Sequence, residues 1–328
     1  MEAQELLFNQ IKQNISPNIS LVDEIADLLD ISNDSAYRRI RGEKTLSMNE
    51  LKILSKHFNI SLDLLFSLES GNIVFNNIPI GPYGIGIKDW LRGILADMQK
   101  IHASKKREII YAAKDPPLFH YFHIPEIASF KIFFWQKTLL QFPEFSDRKF
   151  SLLDYDKEIQ QLGMQSLINY VKIPTIELWN VDTFIIAFSQ IEFYWASGLF
   201  ERKEDIYTLC DKFHIWIQHI QKQAELGFKF IYGTEPDGVE DSFKLYVNEV
   251  VLNDNSIYVK MDDNCVTYLT DNVLSLLVTT NPDFCKQKER YLRGLCQKSS
   301  LISHANAKER AIFFNRLLKR IEDFKASI

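Results

Sequence analysis

The stretch SLVDEIADLLDISNDSAYRRIRGEKTLSMNELKILSKHFNISLDLLF, from Ser20 to Phe66, decides how the N-terminal part of this chain reads. Leu21, Val22, Ile25, Ala26, Leu28 and Leu29 recur at helical intervals, and Ser20 followed by Asp23 is a helix-starting cap. The helix is expected to end near Asp30. Ile31 then plugs the turn, Ser32 offers an N-cap oxygen to the next helix, and Gly42 is placed to stop it. Small Ala36 allows close approach to Ala26, and Ile40 is assigned to the same buried face. Two short helices across a tight turn are predicted.

With Ala36 and Ile40 inward, an advance of about 100° per residue puts Asp34, Arg38 and Arg41 on the opposite face and Asn33, Ser35 and Tyr37 on its flanks. Such a face suits the major groove of double-stranded DNA. Arginine pairs bidentately with guanine, asparagine with adenine, and a carboxylate accepts from cytosine, while Arg41 and Lys44 lie near enough to reach phosphates. Asp34, one turn before Arg38, is placed to hold that guanidinium. The candidate DNA-binding set is Ser32, Asn33, Asp34, Ser35, Tyr37, Arg38, Arg41 and Lys44.

The LL-D-I-S turn at Leu28 to Ser32, the Y-R-R-I-R-G-E-K exit at Tyr37 to Lys44, and the tail from Ser47 onward together resemble a known family. It is the Cro/cI-type, or xenobiotic-response-element-type, helix-turn-helix domain of bacterial and phage regulators. In the tail, Ser47 and Glu50 form a capping box, and Leu51, Leu54, Phe58 and Ile60 supply core positions. Ser61 can cap a fifth short helix carrying Leu62, Leu65 and Phe66. The resemblance implies a five-helix, lambda-repressor-like DNA-binding domain in a transcriptional regulator that works as a homodimer. Val22 stands where the family often has a phosphate-contacting glutamine.

Charge gives a competing reading. Residues 1–70 hold seven positive and eleven negative side chains, so phosphate neutralisation contributes modest nonspecific affinity. Four of those positives fall within Arg38 to Lys44. The alternative is a protein-interaction or scaffold module whose helix-turn-helix does not touch DNA; binding that steepens as salt falls separates the two.

At 328 residues, with 46% hydrophobic and 25% charged side chains, the chain has the profile of a multi-domain globular protein. A mainly α protein is expected: a DNA-binding domain over 1–70, a linker over 71–87, an aromatic-rich helical sensing or assembly region over 88–240, and a small α+β part over 241–328. That last part combines an antiparallel meander around Asn253-Asp254-Asn255 with helices at about Val273 to Leu277, Pro282 to Gln297 and Ala307 to Lys325. Its final helix carries a stripe of Phe314, Leu317, Leu318, Ile321 and Phe324, to be covered by its own meander or by a second subunit. Before them, REIIYAA reads as a strand and Lys88 to Ala103 as a helix.

The N-terminus lacks a basic and apolar leader, and the apolar run Thr183 to Phe200 is interrupted by Gln190 and Glu192, so neither a signal peptide nor a membrane partner is expected. Cys210, Cys265, Cys285 and Cys296 show no paired spacing and read as reduced thiols of a cytoplasmic protein. Gly81, Gly84 and Gly86 fit no phosphate-loop pattern. His120 and His123 have ligand-like spacing near Asp115 and Glu126, but their proline-bounded aromatic loop favours packing over a metal. With no HExxH, no GxSxG and no convincing Ser and Lys dyad, no enzymatic activity and no cofactor are expected. The aromatics between Phe133 and Trp216 can line a pocket for a small-molecule effector, or can simply be core.

Overall fold

A computed structural model describes residues 3–15, 20–58, 60–62, 65, 73–249, 255–272 and 274–328. The chain divides into two compact units, Met1–Val74 and Phe75–Ile328. Among the described residues, no helix is long and apolar enough to cross a membrane.

The first unit contains α1 (Ala3–Asn14), α2 (Leu21–Leu29), α3 (Asn33–Ile40) and α4 (Met48–His57). Local chemistry sets each boundary. Ser20 Oγ accepts from Asp23 N, Ser32 Oγ from Ser35 N, and Ser47 with Glu50 closes a reciprocal capping box, so three helices start where an orphan N–H finds a side-chain oxygen. Asp30 ends α2 in the left-handed conformation at φ 52°, and Gly42 follows α3 at φ 77°. Leu7, Phe8, Ile11, Ile25, Ala26, Ala36, Leu54 and Ile60 form the core. The expected fifth helix falls largely on residues outside the described set.

The second unit is built on one eight-stranded mixed sheet in the order β1-β7-β6-β5-β2-β3-β4-β8. Its strands are β1 (Asn76–Asn77), β2 (Arg107–Ala112), β3 (Thr175–Trp179), β4 (Phe243–Val247), β5 (Ser256–Met261), β6 (Asn264–Thr270), β7 (Leu276–Thr279) and β8 (Ser300–Leu301). β2, β3 and β4 run parallel, and β5 pairs antiparallel with β2, Ile109 lying opposite Val259. The central strands are apolar on both faces because helices cover both. On one face α10 (Pro282–Gln297) buries Cys285, Leu292 and Cys296 against Ile110, Ala112, Leu178 and Tyr258. The large core lies on the other face, under α5 (Ile87–Ala103), α6 (Pro125–Phe134), α7 (Lys157–Tyr170), α8 (Val181–Ala196), α9 (Lys203–Leu226) and α11 (Ala307–Ser327).

The separate regions expected over 88–240 and 241–328 share this sheet. β4, which precedes the turn expected at Asn253-Asp254-Asn255, pairs with β3 and not with β5, and the β5-β6-β7 meander continues the sheet through β2. The helix expected near Val273 is replaced over Leu276–Thr279 by β7, whose Val278 lies opposite Tyr268. Residues 253 and 254 of the expected turn lie outside the described set. The 71–87 linker also changes character. From Phe75 on it belongs to the second unit: β1 pairs with β7, Ile80 bridges Ile85, and a side chain at Gly84 would collide with the Pro79 carbonyl.

α11 buries Phe313, Phe314, Leu317 and Ile321 against α8 and α9 rather than against the meander. Phe324 packs edge-on to Phe188 at 5.5 Å, and Arg320 pairs with Glu192 at 2.7 Å. The stripe therefore completes the core of its own subunit. All four cysteines are free thiols.

Candidate nucleic-acid interface and a buried polar cluster

α3 presents a continuous exposed edge: Ser32, Asn33, Asp34, Tyr37, Arg38, Arg41 and, past Gly42, Lys44. Ser35 is half-buried; its N–H satisfies the Ser32 cap and its carbonyl accepts from Arg39. Ser32 thus has a structural task. Asn33 Nδ2 donates to Asp23 Oδ1 at 2.9 Å, which ties the start of α3 to the first turn of α2. The guanidinium of Arg41 lies 5.6 Å from the Tyr37 ring centroid. Arg38 and Arg41 approach one carboxylate, that of Glu43, at 3.9 and 3.5 Å. Glu43 takes the place expected for Asp34 beside Arg38.

Two further residues organise this edge. Arg39 turns inward and is only 5% exposed, donating to Glu50 at 2.6 Å and to the Ser35 carbonyl at 3.1 Å. Burial pushes the Glu50 carboxyl up, but hydrogen bonds from Arg39 and from Ser47 hold it below its ordinary value. Ile40, expected as the second buried anchor, is half-buried, so Ala36 and Arg39 mark the inward stripe. Gln4, on α1, donates to the carbonyls of Arg39 and Lys44 and accepts from Leu46 N at 2.9 Å. The loop after α3 is therefore pinned at three backbone groups by one side chain. A helical wheel carries a signal for Arg39, which stands three residues after Ala36 on the same stripe. Nothing local marks Gln4, whose partners lie about forty positions away.

The second unit holds a buried polar cluster around Glu177 on β3 that no local sequence pattern marks. Its carboxylate accepts from His120 Nε2 at 2.9 Å, Tyr170 OH at 2.5 Å and Trp179 Nε1 at 2.8 Å, with all four residues fully buried. Burial pushes Glu177 up; the charge and hydrogen bond of His120, then Lys229 and Tyr170, outweigh it and hold the carboxyl below its ordinary value. Lys229 bonds the Ile173 carbonyl at 3.0 Å and Thr175 Oγ1, with its ammonium 3.9 Å from the Tyr170 ring centroid. Burial pushes Lys229 down to about 7 against the pull of Glu177. His123 and His219 stack edge-on at 4.4 Å, and Gln223 lies between them and the Phe230 carbonyl. His120 and His123 thus point to different partners, and no group of three potential ligands able to hold a metal occurs among the described residues. With every member buried, the cluster serves as a polar core.

The cluster makes stability depend on pH. Burial drives His219 down to about 4 and His123 well below its ordinary value. Below pH ~6.5 the unfolded chain takes up protons that the folded histidines refuse, so stability falls as pH drops through that window. From His219 alone the loss approaches about 3 kcal/mol by pH ~4. Urea unfolding of the second unit at pH 7 and pH 5 measures it; equal midpoints, with a midpoint in His219→Phe also insensitive to pH, would remove these histidines as the cause.

The aromatics expected to line an effector pocket mostly fill the core: Phe184, Phe188, Phe213 and Trp216 are fully buried and in mutual ring contact. No family model, curated protein or solved structure matches the chain.

Proposed function

We propose that the chain is a sequence-specific DNA-binding regulator that lays α3 in the major groove of double-stranded DNA. The observation that carries the reading is the division of labour on α3. Ala36 and Arg39 are buried while Tyr37, Arg38 and Arg41 stand exposed, so one stripe of the helix holds it in the core and the neighbouring positions are free to reach outward. Asn33 and Arg38 are the candidates for base edges, Arg41 and Lys44 for phosphates, with Tyr37 supporting Arg41. A lambda-repressor-like arrangement of the first unit, and a cytoplasmic location, belong to the same proposal. So does a homodimer, because two heads on half-sites one helical turn apart double the contacts and match a two-fold axis.

Selection of bound fragments from genomic DNA supplies the site, and fluorescence anisotropy then tests the roles. Arg38→Ala costs about 1 to 3 kcal/mol at the selected site and relaxes its sequence preference. Lys44→Ala weakens all sequences alike and flattens the salt dependence. Negligible effects of both would remove the DNA-reading assignment. Sedimentation with and without the selected duplex reads the number of subunits engaged.

A further inference from the structure

The second unit contains a concave cavity of about 460 Å³ between α5 and the sheet. Three main surfaces build it, with Leu118 and Phe119 beside them. Trp90, Ile94 and Met98, spaced four apart, form one stripe of α5. The sheet presents Ile109 and Tyr111 of β2, Ile257 and Val259 of β5, Tyr268 of β6 and Val278 of β7, which the strand register brings to one face. The loop before α5 closes the third side with Ile78, Ile80 and Ile85. That loop is closed by the Ile80–Ile85 bridge and packs so tightly that a side chain at Gly84 would meet the Pro79 carbonyl. The volume lies within the roughly 300–1,000 Å³ of small-molecule sites, and apolar walls with few polar groups are what such sites have.

The polar groups identify the kind of molecule. Among the described residues two carboxylates, Asp89 and Asp97, line the cavity, and no lysine, arginine or histidine does. Asp89 is paired with Arg92. Asp97 accepts from Tyr268 OH at 3.3 Å; burial pushes its carboxyl up, against the Tyr268 bond and then the charge of Lys100. An acyl carboxylate entering here would face an acceptor without a lining cation, whereas an ammonium or hydroxyl would donate to Asp97.

We propose that this cavity binds a lipophilic amine or alcohol, its apolar body against Trp90, Ile94, Met98 and the sheet and its donor head at Asp97. The site stands apart from the DNA-reading proposal, because its residues and its readout belong to the second unit alone.

Decylamine, decanol and decanoate are suitable probes, followed in the full-length protein by calorimetric titration and by the fluorescence of Trp90. Decylamine and decanol are expected to saturate at one site per chain, with decanoate at least about ten-fold weaker, which corresponds to one unpaired charge-assisted hydrogen bond. Asp97→Ala should remove that ranking while decanol still binds. Ile94→Trp and, independently, Val278→Trp fill the cavity from opposite walls and should abolish binding of all three while retaining the cooperative thermal unfolding of wild type. If either filled variant fails to fold, the other carries the test; if both do, competition by decanol against decylamine for a single site does. Absence of saturable binding, decanoate binding as tightly as decylamine, or unchanged binding in a folded filled variant would overturn the assignment.

Discussion

Replacing Glu177 with alanine is expected to lower the stability of the second unit by about 3 to 5 kcal/mol, the cost of removing one partner from a buried charge cluster. The side chain is fully buried and is the common acceptor for His120, Tyr170 and Trp179. Without it three donors lose their acceptor in a site no solvent reaches, and Lys229 loses its nearby negative charge. Glu177→Gln should cost less, because its carbonyl oxygen still serves some of the donors, although its amide meets another donor face to face. Equilibrium urea unfolding followed by tryptophan fluorescence gives both values. An alanine variant within about 1 kcal/mol of wild type would mean that the cluster is held by packing rather than by the carboxylate.

The same residue explains what could be read in advance. The boundaries of α2, α3 and α4 were legible because their causes are local: Ser20, Ser32 and Ser47 each cap a helix within three residues, and Asp30 and Gly42 end one in place. The helices Lys88 to Ala103 and Pro282 to Gln297, and the REIIYAA strand, were legible for the same reason and are matched to within a residue or so by α5, α10 and β2. β3 was hidden. Its five residues, TIELW, carry an acid in the middle, and the acid makes sense only once His120, Tyr170 and Trp179 are known to converge on it. Parallel pairing adds to the difficulty, since β2 meets β3 across more than sixty residues and no turn chemistry announces the partnership. β7 misled for a related reason: three apolar residues and a threonine do not distinguish a strand from a turn of helix.

The exposed edge of α3, proposed to read DNA, was legible by type and less so by role. Exposed Arg38 and Arg41 followed from the helical period, but so did a buried Ile40, and the inward place is taken by Arg39. An arginine is read as surface unless its partner is known. Here the partner is Glu50, whose capping-box role was already apparent, so one carboxylate starts α4 and neutralises a buried cation at once. The cavity was not legible at all. Its walls come from α5, four strands and a loop spread over two hundred residues, and only the finished sheet brings them to one face.

The largest expected effect falls on the first unit. Ile25 is completely buried in the first core, so Ile25→Asp places a carboxylate in the apolar cluster that holds Ala26, Ala36 and Leu54. In a unit this small, a penalty of about 4 kcal/mol or more takes most of the available stability. Ile40→Asp, the change that periodicity alone would suggest, should be milder, since Ile40 is half-buried and an acid there can turn to water. The Ile25 variant should lose the proposed DNA binding entirely, while the cluster around Glu177 and the sheet remain intact, because the two hydrophobic clusters have no residue in common. Hydrogen exchange distinguishes this from a weakened contact. Amides of α2 to α4 should exchange at unprotected rates, and those of β2 from Ile109 to Ala112 should keep wild-type protection. Protection lost together in α3 and β2 would show that the two units fold as one, and protection retained throughout α2 to α4 would show that Ile25 is not the centre of the first core.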